Sequence, residues 1–572
     1  MEYREKYKRW VSGAVDDFTK SELLTMANDD QLILECFGAK LEFGTAGLRG
    51  KMGAGTNRMN IYTVRKATQA LSNHILYKGG ASRGAAVAFD SRKNSKEFAQ
   101  EAALVLCANG IRCYLYESMR SVPQLSFTVR KLNCFAGIAI TASHNPPEYN
   151  GYKVYAEYGG QLGNEDSETI VREMDSIDEL SQIKRLDGLN RALDSGYLKL
   201  LGRQMDDEYI NAVKSLSPDP SIAREWGSSV RIVYTPLYGT GKEPVPRLLG
   251  EMGFDDVITV PEQMEQDYQF TYAPMPNPSD PKAMEKGVRL AKESGADLVL
   301  GTDPDADRMG CVINTGEDFI HLTGNQAGCL MLYYLLSQRS MKGKLPKGAY
   351  IVKSIVSTNM ANAIAADFGA ETREVLTGFR FIAEEIENSR SGSFQFGFEE
   401  SAGYMTGDFT RDKDGICACM LMAELAAVCK SKGTSIFELL QSLYKKYGYY
   451  LESTTDIKLE GAEGVNRIKN IMAALRSGGF DRIGGFKITA VRDYLSGKRS
   501  GSEGISELKA PKSNMLYYEL EGGRWACARP SGTEPKLKLY AGARETDMDT
   551  AGEALESLKR GFRELIGPAL CG

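Results

Sequence analysis

Short runs of β-branched and aromatic residues alternate with longer amphipathic stretches over most of the chain, the pattern of α/β units. The runs AAVAF from Ala85, FAGIAI from Phe135, VRIVY from Val230, ADLVL from Ala296, AYIVKSIV from Ala349 and SFQFGF from Ser393 predict strands. Between them, NSKEFAQEAALVLCANG predicts a helix capped by Asn94 and ended by Gly110. PKAMEKGVRLAKESG predicts another, with Pro281 at its start and Gly295 at its end. The most apolar stretch, ICACMLMAELAAVC from Ile416, contains Glu424 and falls short of the roughly 18 residues of a membrane span, so it predicts a buried helix.

Several strands run into polar or glycine-rich loops: FAGIAI into TASHNP, ADLVL into GTDPDADR, SFQFGF into EES, and VRIVY into TPLYGTG. Ligands gather at the carboxyl ends of strands in open α/β sheets, so such loops from separate segments predict one cleft between domains. Linkers are expected near Asp206 to Pro220, after Asn314, and near Tyr449 to Thr455, with a fourth unit carrying RPSGTEPKLKLY. The 572 residues are several times a typical domain of roughly 150 and accommodate this division.

Composition narrows the function. Lys plus Arg is 70 against 75 for Asp plus Glu, a net charge of -5, without the basic excess of a general nucleic-acid binder. Any anion must therefore be met by a local cluster of positive charge. The 11 cysteines contain no C-x-x-C pair and read as free thiols of a cytosolic protein. The charged N-terminus MEYREKYKRW lacks the apolar core of a signal peptide, and the expectation is a cytoplasmic protein with no membrane partner.

The loops carry the candidate chemistry. GTDPDADR places Asp303, Asp305 and Asp307 two residues apart after an apolar strand. Carboxylates that close repel one another unless a hard cation sits among them, and oxygen ligands suit Mg²⁺; the alternative is a solvated acidic turn. An EF-hand is excluded, because Arg308 stands where that loop needs glycine and Asn314 where it needs Glu. In TASHNP, Ser143 follows an apolar strand without the G-x-S-x-G elbow, and His144 is placed to donate to an anion. RPSGTEP combines Arg529, Ser531, Gly532 and Thr533, a guanidinium fork, hydroxyls and open backbone suited to phosphate. GFEESAGY offers Glu399 and Ser401, a pair suited to sugar hydroxyls and equally to an ordinary turn.

Taken together and in order, TASHNP, DPDADR, GFEES and RPSGTEPK resemble the phosphoserine, metal, sugar and phosphate loops of the phosphohexomutase superfamily over essentially the whole chain. FGTAGLRG, with Arg49, and the DKDG from Asp412 are closest to its long bacterial α-phosphoglucomutases and their phosphopentomutase and bisphosphate-synthase relatives. The resemblance implies three similar mixed α/β domains and a smaller α+β C-terminal domain around a central cleft, at 1–207, 208–318, 319–450 and 451–572.

It further implies that Ser143 carries a phosphoryl group, that Ser143 and the three aspartates hold Mg²⁺, and that Arg49 and Arg308 offset charge. Lys153, in NGYK, would serve as acid or base with a lowered pKa. Thr377, Gly378, Glu399 and Ser401 would meet the sugar, Lys413 would bind the substrate, and Arg529, Ser531, Gly532 and Thr533 would meet the phosphate. Where close relatives read TGFK this chain reads TGFR, and Arg380 binds phosphate but is no general base. The implied activity interconverts glucose 1-phosphate and glucose 6-phosphate through glucose 1,6-bisphosphate. Phosphomannomutase, phosphopentomutase or bisphosphate-synthase activity and a metal-dependent phosphatase are the alternatives, and oligomeric state stays open.

Overall fold

The computed structural model describes residues 2–13, 15–44, 47–177, 180–459, 461–531 and 536–571. Four sheets follow one another along the chain. The first has seven strands in the order Phe43–Gly44, Gly47–Lys51, Tyr149–Ala156, Ala136–Ile140, Ala85–Phe89, Cys113–Tyr116, Leu198–Leu201. The second runs Phe319–His321, Met309–Asn314, Leu298–Thr302, Ile232–Thr235, Val257–Thr259, and the third Glu371–Val375, Ala349–Ser354, Ser393–Glu399, Gly403–Met405.

The three share one device. In each, a buried parallel strand is followed by an antiparallel partner: Ala136–Ile140 by Tyr149–Ala156, Leu298–Thr302 by Met309–Asn314, and Ser393–Glu399 by Gly403–Met405. The connections between these pairs are the TASHNP, DPDADR and EES loops. The same topological position therefore supplies a polar loop from each sheet.

The fourth sheet is antiparallel throughout and packs against the helices Gly461–Ser477 and Met548–Cys571. It joins the third through an apolar cluster in which Ile355, Val356 and Leu376 meet Tyr517, Trp525 and Tyr540.

Local sequence rules hold at several ends and fail at others. Asp280 accepts from the Lys282 N–H ahead of the helix Pro281–Ser294, and Gly295 closes it at φ 67°. Asn94 makes no side-chain cap; it sits at φ 64°, and the helix starts at Ser95. The expected linkers are partly regular structure, with turns at 215–219 and 315–318. Residues from Asp206 onward lie in the helix Arg203–Lys214, which buries Met205, Tyr209, Ile210 and Val213. Tyr449 to Thr455 belongs to the strand Tyr449–Lys458, paired along its length with Lys536–Glu545. The segment after Asn314 turns into the strand Phe319–His321, which carries the second sheet past residue 318. ICACMLMAELAAVC lies in the buried helix Gly415–Ser431, and among the described residues no helix is long and apolar enough to cross a membrane.

Candidate active site

Ser143 follows the fully buried strand Ala136–Ile140. Its backbone adopts φ 52°, a left-handed conformation costly for a residue with a side chain. The Thr141 hydroxyl holds that turn by accepting from the Ser143 N–H at 2.8 Å. Ser143 Oγ then lies 2.8 Å from Asp303 Oδ2 and 3.1 Å from His144 Nδ1. Burial, then the cations Arg308 and Arg49, pull the His144 pKa well below its ordinary value, so the imidazole is neutral.

The loop is gripped from behind by Arg92, which the sequence reading missed. Its guanidinium donates to the carbonyls of Ser143 (2.6 Å), Asn145 (2.5 Å), Pro146 (2.8 Å) and Tyr149 (3.0 Å). Asp90 pairs with it at 3.3 Å, and the Phe270 ring of the second unit lies 5.0 Å away. The available signal was the DSR that follows the strand Ala85–Phe89, a carboxylate and a guanidinium at a strand's carboxyl end.

Asp303, Asp305 and Asp307 are buried, with ligand oxygens all within 4.8 Å of one another. Burial, reinforced by Asp305 and Asp307, pushes the Asp303 pKa well up. At Asp307, burial is outweighed by Lys413, Lys153 and Arg308, and its pKa falls. Lys153 Nζ is 2.7 Å from Asp305 Oδ2 and 3.6 Å from Asp307 Oδ2. Burial works against the Lys153 ammonium, but Asp305 and Asp307 outweigh it and raise its pKa. The expected lowering is thereby corrected: the nearest charges are carboxylates.

Asp305 Oδ1 and Asp307 Oδ1 are buried without a hydrogen-bond partner. Orphaned oxygens in an all-carboxylate cluster are the donor set a hard divalent cation requires, so these residues fit a metal.

The second and third units meet at this cluster. Arg308 N–H donates to Asp303 Oδ1 at 3.0 Å, and Arg308 Nη1 to the Ser401 carbonyl at 3.1 Å. Glu399 Oε1 accepts from the Gly378 N–H at 2.7 Å, beside the buried Thr377. Burial and then Glu400 raise the Glu399 pKa to about 7. Lys413 Nζ bridges Asp307 Oδ2 (3.1 Å) and Asp412 Oδ1 (3.0 Å). Tyr155 of the first unit donates to Asp412 Oδ2 at 2.9 Å, so the DKDG segment ties all three units together.

The remaining residues stand further out. Arg49 Nη1 donates to Asn145 Oδ1 at 3.1 Å, from a strand that pairs Gly47 with Lys153. Arg380 donates to Asn164 Oδ1 of the first unit at 2.8 Å. Arg529 lies on the strand Trp525–Pro530, and the Ser531 N–H donates to the Lys536 carbonyl at 2.7 Å, closing the base of its loop. Burial raises the Tyr540 pKa, Glu400 raises it further and Arg529 opposes this, so Tyr540 is a shared neighbour of the fourth unit's arginine and the sugar loop. Gly532 and Thr533 lie outside the described residues.

Family models for the phosphoglucomutase/phosphomannomutase alpha/beta/alpha domains I, II and III match residues 40–181, 207–316 and 323–447, and the C-terminal domain model matches 487–556. The chain belongs to the phosphoglucomutase/phosphomannomutase family. Among its family relatives, the phosphoglucomutase of Staphylococcus aureus (strain MRSA252) is 34% identical over 553 residues, 96% of this chain and 97% of that protein. A putative phosphomannomutase of Thermus thermophilus superposes with a TM-score of 0.69 at 22% identity, covering 92% of this chain and 99% of that one. The open form of Paramecium pp63/parafusin, a phosphoglucomutase, gives 0.67 at 17% identity, covering 93% and 95%. At these identities the two structures share the fold with this family member.

Proposed function

We propose that the protein is a cytoplasmic phosphosugar mutase that interconverts glucose 1-phosphate and glucose 6-phosphate through a phosphorylated Ser143 and a bound glucose 1,6-bisphosphate. The observation that carries this reading is the Ser143 hydroxyl 2.8 Å from Asp303 within a buried triple-carboxylate cluster. A family of mutases with that constellation calls for a serine that accepts and returns a phosphoryl group.

Asp303, Asp305 and Asp307, with an oxygen on Ser143, would hold Mg²⁺, whose charge when bound stabilises the transferring phosphoryl group. The Oγ–P bond of phosphoserine breaks as an O–P bond forms at the free sugar hydroxyl, and the hydroxyl proton ends on Ser143 Oγ. Lys153, held charged by Asp305 and Asp307, relays that proton by giving one to Oγ and taking the other. Arg308 and Arg49 offset the phosphoryl charge, and neutral His144 orients Oγ. Glu399, Ser401, Thr377 and Gly378 position the sugar; Lys413, Arg380, Arg529, Ser531, Gly532 and Thr533 position its phosphates.

Arg380 already spans to the first unit and cannot lose a proton, which leaves the proton relay to Lys153. The bisphosphate turns over between half-reactions, so each phosphate visits Ser143 in turn. A coupled assay with Mg²⁺ on glucose, mannose and ribose 1-phosphates tests the assignment. Glucose 1-phosphate should turn over fastest. Phosphatase-treated protein should be inactive until catalytic glucose 1,6-bisphosphate is added. Full activity of the dephosphoprotein without that primer would rule out the phosphoenzyme.

A further inference from the structure

The third sheet carries a second polar feature at the end away from the candidate active site. The amino ends of the strands Ala349–Ser354 and Ser393–Glu399 open onto a cavity of about 500 Å³. Arg339 and Lys344, at the end of the helix Gly324–Met341 and just beyond it, line it together with Tyr350, Ser393, Asp408 and Arg411. That volume lies in the range of about 300–1,000 Å³ typical of small-molecule sites.

The charge in this cavity is out of balance. Arg411 is neutralised by Glu387 at 2.9 Å and held by the carbonyls of Asp408 and Thr410. Arg339 has no such partner. It is half-buried and donates to Gln395 Oε1 at 2.5 Å, and among the described residues neither it nor Lys344 forms an ion pair. Burial lowers the Arg339 pKa from its ordinary value with no carboxylate to restore it. Asp408, an exposed carboxylate of the lining, forms no ion pair with either cation among the described residues, and a partly desolvated guanidinium left unpaired in this way is a standing cost that a bound anion removes.

We propose that this cavity is a second anion site, which takes a phosphorylated small molecule. The guanidinium fork, the lysine point charge and the Ser393 hydroxyl supply the donors that a phosphate needs. The six residues of Ala349–Ser354 span about 20 Å, so the site is separate from the carboxyl end of this sheet, where Ser401 meets Arg308 beside the aspartate cluster. The two are linked through the chain: Arg411 lines the cavity, and two residues on, Lys413 Nζ stands 3.1 Å from Asp307 Oδ2.

Isothermal titration of the full chain with pyrophosphate in metal-free buffer tests the proposal. The wild type should show a site whose affinity falls at least tenfold in Arg339→Gln and is unchanged in Arg529→Ala. Should Arg339→Gln fail to fold, Lys344→Gln, at an exposed position, should weaken the same site at least threefold. Absence of such a site, or one indifferent to these substitutions, overturns the proposal. The readout is anion binding and not turnover, so failure of the mutase assignment leaves this result standing.

Discussion

Arg92 holds the Ser143 carbonyl oxygen at 2.6 Å across 51 residues of sequence. The same guanidinium reaches three further carbonyls of that loop and sits over Phe270 from the neighbouring unit. A serine at positive φ is unfavourable by itself, and this grip is what over-determines it. Arg92 is thus a positioning residue: it touches the loop and not the reacting atoms.

Replacing Arg92 by Met leaves Asp90 buried and uncompensated, a loss of about 3–5 kcal/mol for a broken buried pair. Arg92→Lys keeps the charge but cannot span four carbonyls, and should lie between. Denaturant midpoints measure the order wild type, Lys, Met. Equal midpoints for all three would mean the loop needs no such clamp.

Ser143→Ala removes the oxygen proposed to carry the phosphoryl group. Mutase activity should fall by several orders of magnitude, as for other covalent nucleophiles. Intact-mass measurement should find a fraction of the wild type heavier by one phosphate, and none of the variant.

Asp305→Asn withdraws one charge from the cluster of three carboxylates. Mg²⁺ affinity, read by titration calorimetry, should drop by more than roughly tenfold, because even indirect partners of a metal are worth that much. Wild-type activity indifferent to chelators would reject the metal assignment outright.

Arg529→Ala should raise the apparent KM for every phosphosugar, whatever its hydroxyl pattern. A charge-assisted bond to phosphate is worth roughly 1.5–3 kcal/mol, or about one to two decades in affinity. A KM that rises for one sugar only would assign this loop to sugar recognition.

Glu424 provides part of the pH dependence, beside Glu399, Asp414 and Glu452, whose pKa values burial also raises. It is fully buried in the helix Gly415–Ser431, bonded by Tyr334 at 3.0 Å and by Ser217. Burial raises its pKa from 4.5 to about 8, against the opposing effect of those two hydroxyls. The folded protein therefore keeps a proton that the unfolded chain has released. Stability should fall as pH rises from about 4.5 to about 8 and level off beyond. Glu424→Gln should make that slope shallower and exceed the wild type at pH 8, as thermal unfolding across the range would reveal.

What the sequence determined by itself is local and ordered. Each of the six strand runs contains a strand, because alternation and β-branching act over a few residues. The serine, aspartate and glutamate loops lie where polar residues follow those runs, and Gly295 ends its helix by the short-range steric rule for left-handed residues. The stretches near Asp206 and Tyr449 and the one after Asn314 lie at the family-domain limits 207, 447 and 316–323, but parts of them are helix or strand, because their apolar partners lie elsewhere in the chain.

Tertiary structure alone decided the electrostatics. Lys153 is raised by Asp305 and Asp307, 152 residues away in the nearer case. Lys413 bridges two carboxylates from separate units, Arg380 answers to Asn164, and Arg92 closes on the serine loop. None of these could be read from spacing, because a group's pKa and partners follow from distance and burial, and both are set by how separately folded units pack.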